Sequence, residues 1–198
     1  MKQNAVQSLV NKTLSKDILV KPTVAMGNPF SYRNKLQFPV GINKNGEPII
    51  GVYENRTHEI IPIQECEIQD KKSVEIAKYI LELVKKFNIS VYNEKNRKGL
   101  LRHIVIKNAK ITNEYMVILV INGNTIGCEN EIIQNLKERY ECITSIVLNI
   151  NKKDTNVILG EKNITIYATI ISIINKLKNT NKGGENYIIY CFDTDQID

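Results

Sequence analysis

Cysteine, histidine and tryptophan are scarce in this sequence. It has 198 residues, four of them cysteine, two histidine and none tryptophan. No two cysteines have the Cys-x-x-Cys spacing of a zinc site, and their wide separation indicates no dense disulfide framework. Reduced thiols are the expectation.

Long hydrophobic runs are also missing. No stretch approaches the roughly 18 apolar residues that a membrane span needs, and the N-terminus, Met1-Lys2-Gln3-Asn4, lacks the apolar core of a signal peptide. A chain with 42% hydrophobic and 24% charged residues has an ordinary globular composition. We therefore expect a cytoplasmic protein with no membrane partner.

Positive charge is concentrated in the first half of the chain. Residues 1–110 contain 19 Lys and Arg against 10 Asp and Glu, whereas residues 111–198 contain 8 against 11. The first half is therefore the candidate surface for a polyanion. A generic soluble surface with a basic bias is the alternative.

Aromatic and basic side chains alternate in one short segment that precedes an apolar run. Phe30 and Tyr32 alternate there with Arg33 and Lys35. Such a segment can stack on bases and pair with phosphates. It can equally be a strand whose aromatic residues face the core and whose Arg33 faces water.

The pattern of elements predicts an α+β fold: a mainly antiparallel sheet with two amphipathic helices packed on it. Asn43 to Gly46 forms a hairpin turn by its Asn-Gly pair. One helix is predicted from a Ser73 cap to about Phe87 and another from about Glu129 to Tyr140. The apolar runs after Gly99 and after Glu114 are expected to be antiparallel neighbours, and a further short strand is expected at 155–160.

A paired arginine and histidine stand at the start of the most strand-like run. Arg102 and His103 directly precede Ile104-Val105-Ile106. Guanidinium matches phosphate or carboxylate, and imidazole titrates near neutral pH. The alternative is that Arg102 caps a sheet edge and that His103 is a structural histidine.

Six short motifs follow one another along residues 17–162. They are Asn28-Pro29-Phe30-x-Tyr32-Arg33-Asn34-Lys35, Gly51-Val52-Tyr53 with His58-Glu59-Ile60, Glu65-Cys66-x-Ile68, Gly99-Leu100-Leu101-Arg102-His103, Ser145-Ile146-Val147 with Asn149-Ile150-Asn151, and Thr155-Asn156-Val157-Ile158-Leu159-Gly160. In this order they resemble the S-adenosylmethionine-dependent RNA 5-methyluridine (uracil-5) methyltransferases, which modify uracils in ribosomal and transfer RNA.

The resemblance implies three regions in this chain. Residues 1–16 are the end of a longer linker helix, residues 17–162 are the central α+β domain, and residues 163–198 are a divergent tail. In the family the central domain lies between an RNA-binding barrel and a Rossmann-like catalytic domain. A truncated or frameshifted product, or a fragment, is the expectation.

The resemblance also implies an iron–sulfur site. Full-length members hold a four-iron, four-sulfur cluster on four cysteines, and Cys66 matches the fourth position. The other three would precede Met1, and a cluster ordinarily needs four sulfurs. We therefore expect Cys66 to be a lone, inert thiol.

The family's catalytic parts lie beyond the matching region. The chemistry uses a cysteine nucleophile, a glutamate base and a glycine-rich loop that holds S-adenosylmethionine. No Gly-x-Gly loop follows a strand in this chain, and the neighbours of Cys191 do not resemble the nucleophile loop. We expect no catalytic residue and no cofactor in this chain, and no activity of this chain by itself.

Two functions follow. The first is a 23S rRNA (uracil-5)-methyltransferase fragment that keeps the RNA-contacting central domain and binds rRNA or tRNA. The residues that we expect to contact RNA are Arg33, Lys35, Arg56, Arg102 and His103, with Phe30 and Tyr32 as stacking groups. The second is a non-catalytic interaction module, or a pseudogene product without RNA function, that self-associates through surfaces exposed by missing domains.

Overall fold

The computed structural model describes residues 2–14, 18–154 and 156–169, which form two compact units. The first unit ends at Phe30 and contains helix α1, Lys2–Thr13. The side chain of Gln7 fastens α1 to the following segment, since its Nε2 donates to the carbonyl of Ile18 and its Oε1 accepts from the amide of Val20. Helix α1 lies within residues 1–16, where the resemblance implied the end of a longer linker helix.

The second unit begins at Ser31 and is built on one seven-stranded sheet. Its strands are β1 (Lys35–Ile42), β2 (Pro48–Tyr53), β3 (Ile60–Pro62), β4 (Leu101–Ala109), β5 (Glu114–Ile121), β6 (Ile143–Ile150) and β7 (Lys162–Ala168). Their order is β3-β2-β1-β4-β5-β6-β7, and every neighbouring pair is antiparallel except β5 with β6. The predicted α+β class, the β1–β2 hairpin and the β4–β5 pairing are confirmed.

Two helices pack on the sheet. Helix α2 (Lys71–Lys86) lies against β2 and β4, and α3 (Glu129–Arg139) lies against β6 and β7. Six apolar residues of α2 form the buried stripe that makes this contact: Val74, Ile76, Ala77, Ile80, Leu83 and Val84. In the described part of the chain, no helix is long and apolar enough to cross a membrane.

The start of α2 differs from the prediction. The N-cap is Asp70, not Ser73: its Oδ2 accepts from the amide of Ser73 at 2.9 Å and from the hydroxyl of Tyr115 at 3.1 Å. A carboxylate at the cap satisfies a free helix amide and is favoured by the helix dipole. Tyr115 of β5, which donates the second of these hydrogen bonds, is far from Asp70 in the sequence. The local sequence around α2 therefore could not predict this contact.

The short strand predicted at 155–160 is wrong for the described residues, 156–160. The backbone there bonds to asparagine side chains instead of a neighbouring strand: Nδ2 of Asn151 donates to the carbonyls of Val157 and Ile158 at 2.7 and 2.9 Å. The amide of Gly160 donates to Oδ1 of Asn149 at 2.7 Å, and Nδ2 of Asn149 donates to the carbonyl of Gly160. Because these bonds replace a ladder, the segment is a loop.

The strand after this loop is β7, which starts at Lys162. The sequence predicted a divergent tail from residue 163, and residues 163–168 lie in β7, paired with β6. The remainder of that predicted tail, including Cys191, lies outside the described residues apart from Thr169.

A β-bulge sets the direction of Arg102 and His103. The pairing of β4 with β5 shifts register between Leu101 and His103. Leu101 and Ile104 both belong to the core cluster beneath the helices, so the extra residue between them turns Arg102 and His103 together toward the opposite face. Bulges commonly re-aim side chains in this way.

Candidate functional site

The basic residues predicted at the start of β1 lie beside a second set on β4. Lys35 and Lys107 are directly opposite each other in the antiparallel pair of β1 and β4, so their side chains share one face. Arg33 is exposed just before β1. At the end of β4, Nζ of Lys110 donates to the carbonyl of Ser31. We call Arg33, Lys35, Lys107 and Lys110 the basic cluster.

Like charges at opposed positions of a strand pair are unfavourable for folding. The pKa of Lys107 is lowered, first by burial and then by the charge of Lys35. A phosphate between the two ammonium groups would remove this repulsion, because an anion favours their charged forms. The arrangement therefore suits an anionic ligand.

The two aromatic residues of the same segment are exposed to solvent. Tyr32 is 43% exposed and Phe30, in the first unit, is 54% exposed. The amide of Phe30 donates to the side chain of Asn28, which fixes a local turn. The alternative prediction, in which both rings face the core, is therefore wrong.

Arg102 has a structural role. It is only 4% exposed, and its Nη1 donates to the carbonyls of Asn151 and Lys153 at 3.0 and 2.9 Å. Its Nη2 lies 3.3 Å from Oε1 of Glu94. These contacts favour the structural alternative over direct contact with RNA.

His103 is equally buried, at 3% exposed. Neither ring nitrogen has a hydrogen-bond partner among the described residues. Burial, with a smaller contribution from Arg102, lowers the pKa of His103 to about 4, so the ring is neutral at pH 7. The Tyr53 ring lies edge-on to it, with centroids 6.4 Å apart.

Arg56 lies away from the basic cluster. It is exposed in the β2–β3 connection and has a left-handed φ of 63°. Tyr53 and His58 flank this connection, and their rings meet edge to face with centroids 5.9 Å apart. His103, which lies beside Tyr53, is four positions along β4 from Lys107 of the basic cluster, a distance of about 13 Å.

Sequence reasoning missed Lys107 and Lys110 because their importance comes from the pairing of β1 with β4. More than sixty residues separate Lys35 from Lys107 along the chain. Alternation along β4 does place Lys107 on the face of His103 and Val105, which is the one signal available in the sequence.

Cys66 belongs to no group of three or more metal-binding side chains among the described residues. It is a free thiol packed partly against the core. No group of three or more metal-binding side chains occurs in residues 2–14, 18–154 and 156–169.

Among the named strands of the described residues, β5 and β6 are the parallel pair, and the helix N-terminus that follows β5 does not fit the carboxylate of S-adenosylmethionine. The carboxylate of Glu129 already accepts from the amide of Ile126 at 2.9 Å. Burial opposes ionisation of Glu129, yet the hydrogen bonds from Ile126, Thr125 and Gly127 outweigh it, so its pKa is lowered. An anionic ligand there would meet a negative charge.

Sequence relatives connect this geometry to a class of protein. A protein of Staphylococcus epidermidis named an uncharacterized RNA methyltransferase is 39% identical over 169 residues, which cover 85% of this chain and 37% of that protein. Proteins with the same designation from Staphylococcus aureus and Clostridium tetani are 33% and 40% identical, covering 100% and 82% of this chain. The chain spans 43% and 35% of their lengths. No protein-family model matches the chain.

A solved structure shows the same fold. The tRNA (uracil-54, C5)-methyltransferase of Pyrococcus abyssi, in complex with S-adenosyl-L-homocysteine, superposes with a TM-score of 0.60 at 19% identity. The match covers 91% of this chain and 47% of that protein. The chain is thus a relative of proteins named RNA methyltransferases, spans less than half the length of those described here, and has a fold found within a tRNA methyltransferase.

Proposed function

We propose that the chain binds RNA through the basic cluster and serves as the RNA-contacting part of an S-adenosylmethionine-dependent (uracil-5)-methyltransferase of the 23S rRNA type. The observation that carries the proposal is the opposition of Lys35 and Lys107, which places two cationic side chains on one face of the sheet. RNA in the cytoplasm is the proposed partner.

Two further observations support RNA rather than a small anion. Arg33 and Lys110 extend the positive charge beyond a single phosphate, and the exposed ring of Tyr32 lies next to Arg33 in the chain. Cations interleaved with exposed aromatic rings suit a strand of nucleotides, because the backbone meets the cations and a base meets the ring. Relatives named RNA methyltransferases agree with this chemistry.

Binding to a labelled single-stranded 23S rRNA fragment tests the proposal by fluorescence anisotropy over a series of salt concentrations. Each neutralised phosphate of single-stranded RNA contributes about 0.7 to the slope of log Kd against log salt. With two to four contacts we expect a slope of roughly 1.5 to 3. Lys35→Ala should weaken binding for every sequence and reduce the slope by nearly one contact.

Lys85→Ala is the matched control. Lys85 is exposed on α2, so this substitution removes the same charge at a position away from the basic cluster. It should leave Kd and slope close to those of the unmodified chain. Absence of binding even at low salt, or equal effects of the two substitutions, would contradict the proposal.

A second candidate function rests on exposed apolar residues at the other edge of the sheet. Val52 and Ile61 are opposed across β2 and β3 and both are exposed, and Ile42 of β1 is exposed as well. Apolar surface at a sheet edge favours association with another protein surface. Self-association would then be the function, and light scattering that finds only monomer at high concentration would count against it.

A further inference from the structure

A groove lies at the far end of β1 from the basic cluster. Its walls are the ends of β1 and β2, the segment from His58 to Pro62, residues 92–95 and Arg102, and its volume is about 410 Å³. Gly41 in this wall is six positions along β1 from Lys35, which is about 20 Å. The volume lies within the range of sites for small organic groups.

Aromatic rings form one side of the groove. Tyr53 is 36% exposed, and its ring meets the rings of His58 and His103 edge to face, at centroid distances of 5.9 and 6.4 Å. A ring that neighbours already hold in place loses little conformational entropy when a flat ligand stacks on it. The groove therefore offers a ready stacking surface.

Arg102 also lines the groove. Its guanidinium carbon lies 4.4 Å from the ring centroid of Tyr92. Its Nε is buried and has no hydrogen-bond partner among the described residues. Arg102 therefore adds positive charge to the wall of the groove, while its hydrogen bonds remain those to the two loops.

The charge of the groove matches one phosphate. Three cations line it, Lys44, Lys95 and Arg102, against two carboxylates, Glu59 and Glu94. Arg102 and Glu94 are within 3.3 Å and largely offset each other. Because Lys44 and Lys95 are exposed at the rim, the net positive charge faces solvent.

We propose that this groove holds one unpaired nucleotide of RNA, with its base stacked on Tyr53 and its phosphate near Lys44 and Lys95. The inference rests on the proposed RNA-binding function and adds a base-binding site to it. A paired base is excluded, since its faces are stacked within the duplex and cannot reach a ring at the side of a groove. The proposed ligand is therefore single-stranded RNA that runs from the basic cluster to this groove.

The test uses the full chain and an octamer of uridines with one 2-aminopurine, whose fluorescence is quenched when it stacks. Anisotropy gives Kd, and quenching reports the stack. We expect the unmodified chain to quench the fluorescence. Tyr53→Ala should abolish the quenching and raise Kd roughly tenfold, because it removes one base stack. Tyr53→Phe should retain both, because the ring remains.

Two more measurements locate the effect. Lys44→Ala, at an exposed position that should not impair folding, should weaken binding several-fold without abolishing quenching. The same labelled strand in a duplex should bind with equal Kd to the unmodified chain and to Tyr53→Ala, since only phosphates are then contacted.

The outcomes separate the two proposals. If the octamer binds with a salt-dependent Kd that Tyr53→Ala and Lys44→Ala leave unchanged, or binds without quenching, the groove assignment is overturned and the basic cluster stands. If neither RNA binds at low salt, RNA binding itself is overturned. Quenching that depends on Tyr53 supports the assignment.

Discussion

The guanidinium carbon of Arg102 lies 4.4 Å from the ring centroid of Tyr92, and the same guanidinium donates to the carbonyls of Asn151 and Lys153. One buried cation thus joins the segment before β4 to the segment after β6. Cation–ring contact and charge-assisted hydrogen bonds are both strong when solvent is excluded. Arg102, which the sequence predicted as an RNA contact, therefore links two loops.

Arg102→Lys should destabilise the fold while keeping the charge. A lysine lacks the planar fork that reaches two carbonyls while lying over a ring, and such hydrogen bonds contribute about 1.5–3 kcal/mol. We expect the free energy of unfolding to fall by about 2 kcal/mol, measured as a lower urea midpoint with an unchanged slope.

Arg97→Lys is the control for that prediction. Arg97 pairs with Asp154 between the same two loops, but both side chains are largely exposed. An exposed pair contributes about 0–1 kcal/mol, so this substitution should change stability little. Equal losses for the two variants would show that burial of Arg102 is not the decisive factor.

His103 should make stability depend on pH in the acid range. Burial and Arg102 lower the pKa of His103 from 6.5 to about 4 in the folded protein. Between these values the unfolded chain takes up a proton that the folded chain does not. The free energy of unfolding should therefore be unaffected above about pH 7, fall by roughly 3 kcal/mol between pH 6.5 and 4, and level off below.

His103→Phe isolates this contribution. It keeps a ring of similar shape, removes the titration, and costs no hydrogen bond among the described residues. Urea midpoints of the two proteins should diverge below pH 6.5, with the variant the more stable. Parallel curves across that range would contradict a lowered pKa for His103.

Asn149→Asp should loosen the loop before β7. The amide of Asn149 donates to the carbonyl of Gly160 at 3.0 Å and to Oδ1 of Asn163 at 2.8 Å. A carboxylate would set oxygen against oxygen at a buried position, so we expect a loss of about 3 kcal/mol and faster hydrogen exchange at 157–160. Asn156→Asp, at an exposed position of the same loop, should change neither.

Local patterns in the sequence predicted the elements whose causes are local. The stripe of α2 from Val74 to Val84 follows helical spacing and is buried as expected. The Asn-Gly turn at Asn45 and Gly46 determines the β1–β2 hairpin, where Gly46 has a φ of 81°. The β4–β5 pair followed from a connection too short for a crossover.

Features that depend on contacts between distant residues were not predictable in this way. The apolar segment from Val157 to Leu159 has a strand-like composition, but the side chain of Asn151 captures its backbone. The opposition of Lys35 and Lys107 depends on which strands pair. The burial of Arg102 depends on a bulge and on carbonyls about fifty residues away.

Lys35→Glu should change stability and RNA binding in opposite directions. Opposite charges directly across a strand pair contribute about 0.2–1 kcal/mol, and like charges cost a similar amount, so the substitution should raise the free energy of unfolding. The urea midpoint should rise by an amount equivalent to about 0.5–1.5 kcal/mol. Affinity for single-stranded RNA should fall, because a carboxylate now faces the phosphate that Lys35 and Lys107 are proposed to share.

Lys85→Glu is the charge-matched control for both measurements. Lys85 lies in the last turn of α2, where a negative charge is unfavourable to the helix dipole, so this variant should be slightly less stable and should bind RNA almost normally. A ligand site often retains like charges that the fold alone would not favour, because binding and folding make different demands on the same residues. If Lys35→Glu were instead destabilising, or bound RNA as well as Lys85→Glu does, then the opposed lysines would not be a phosphate site.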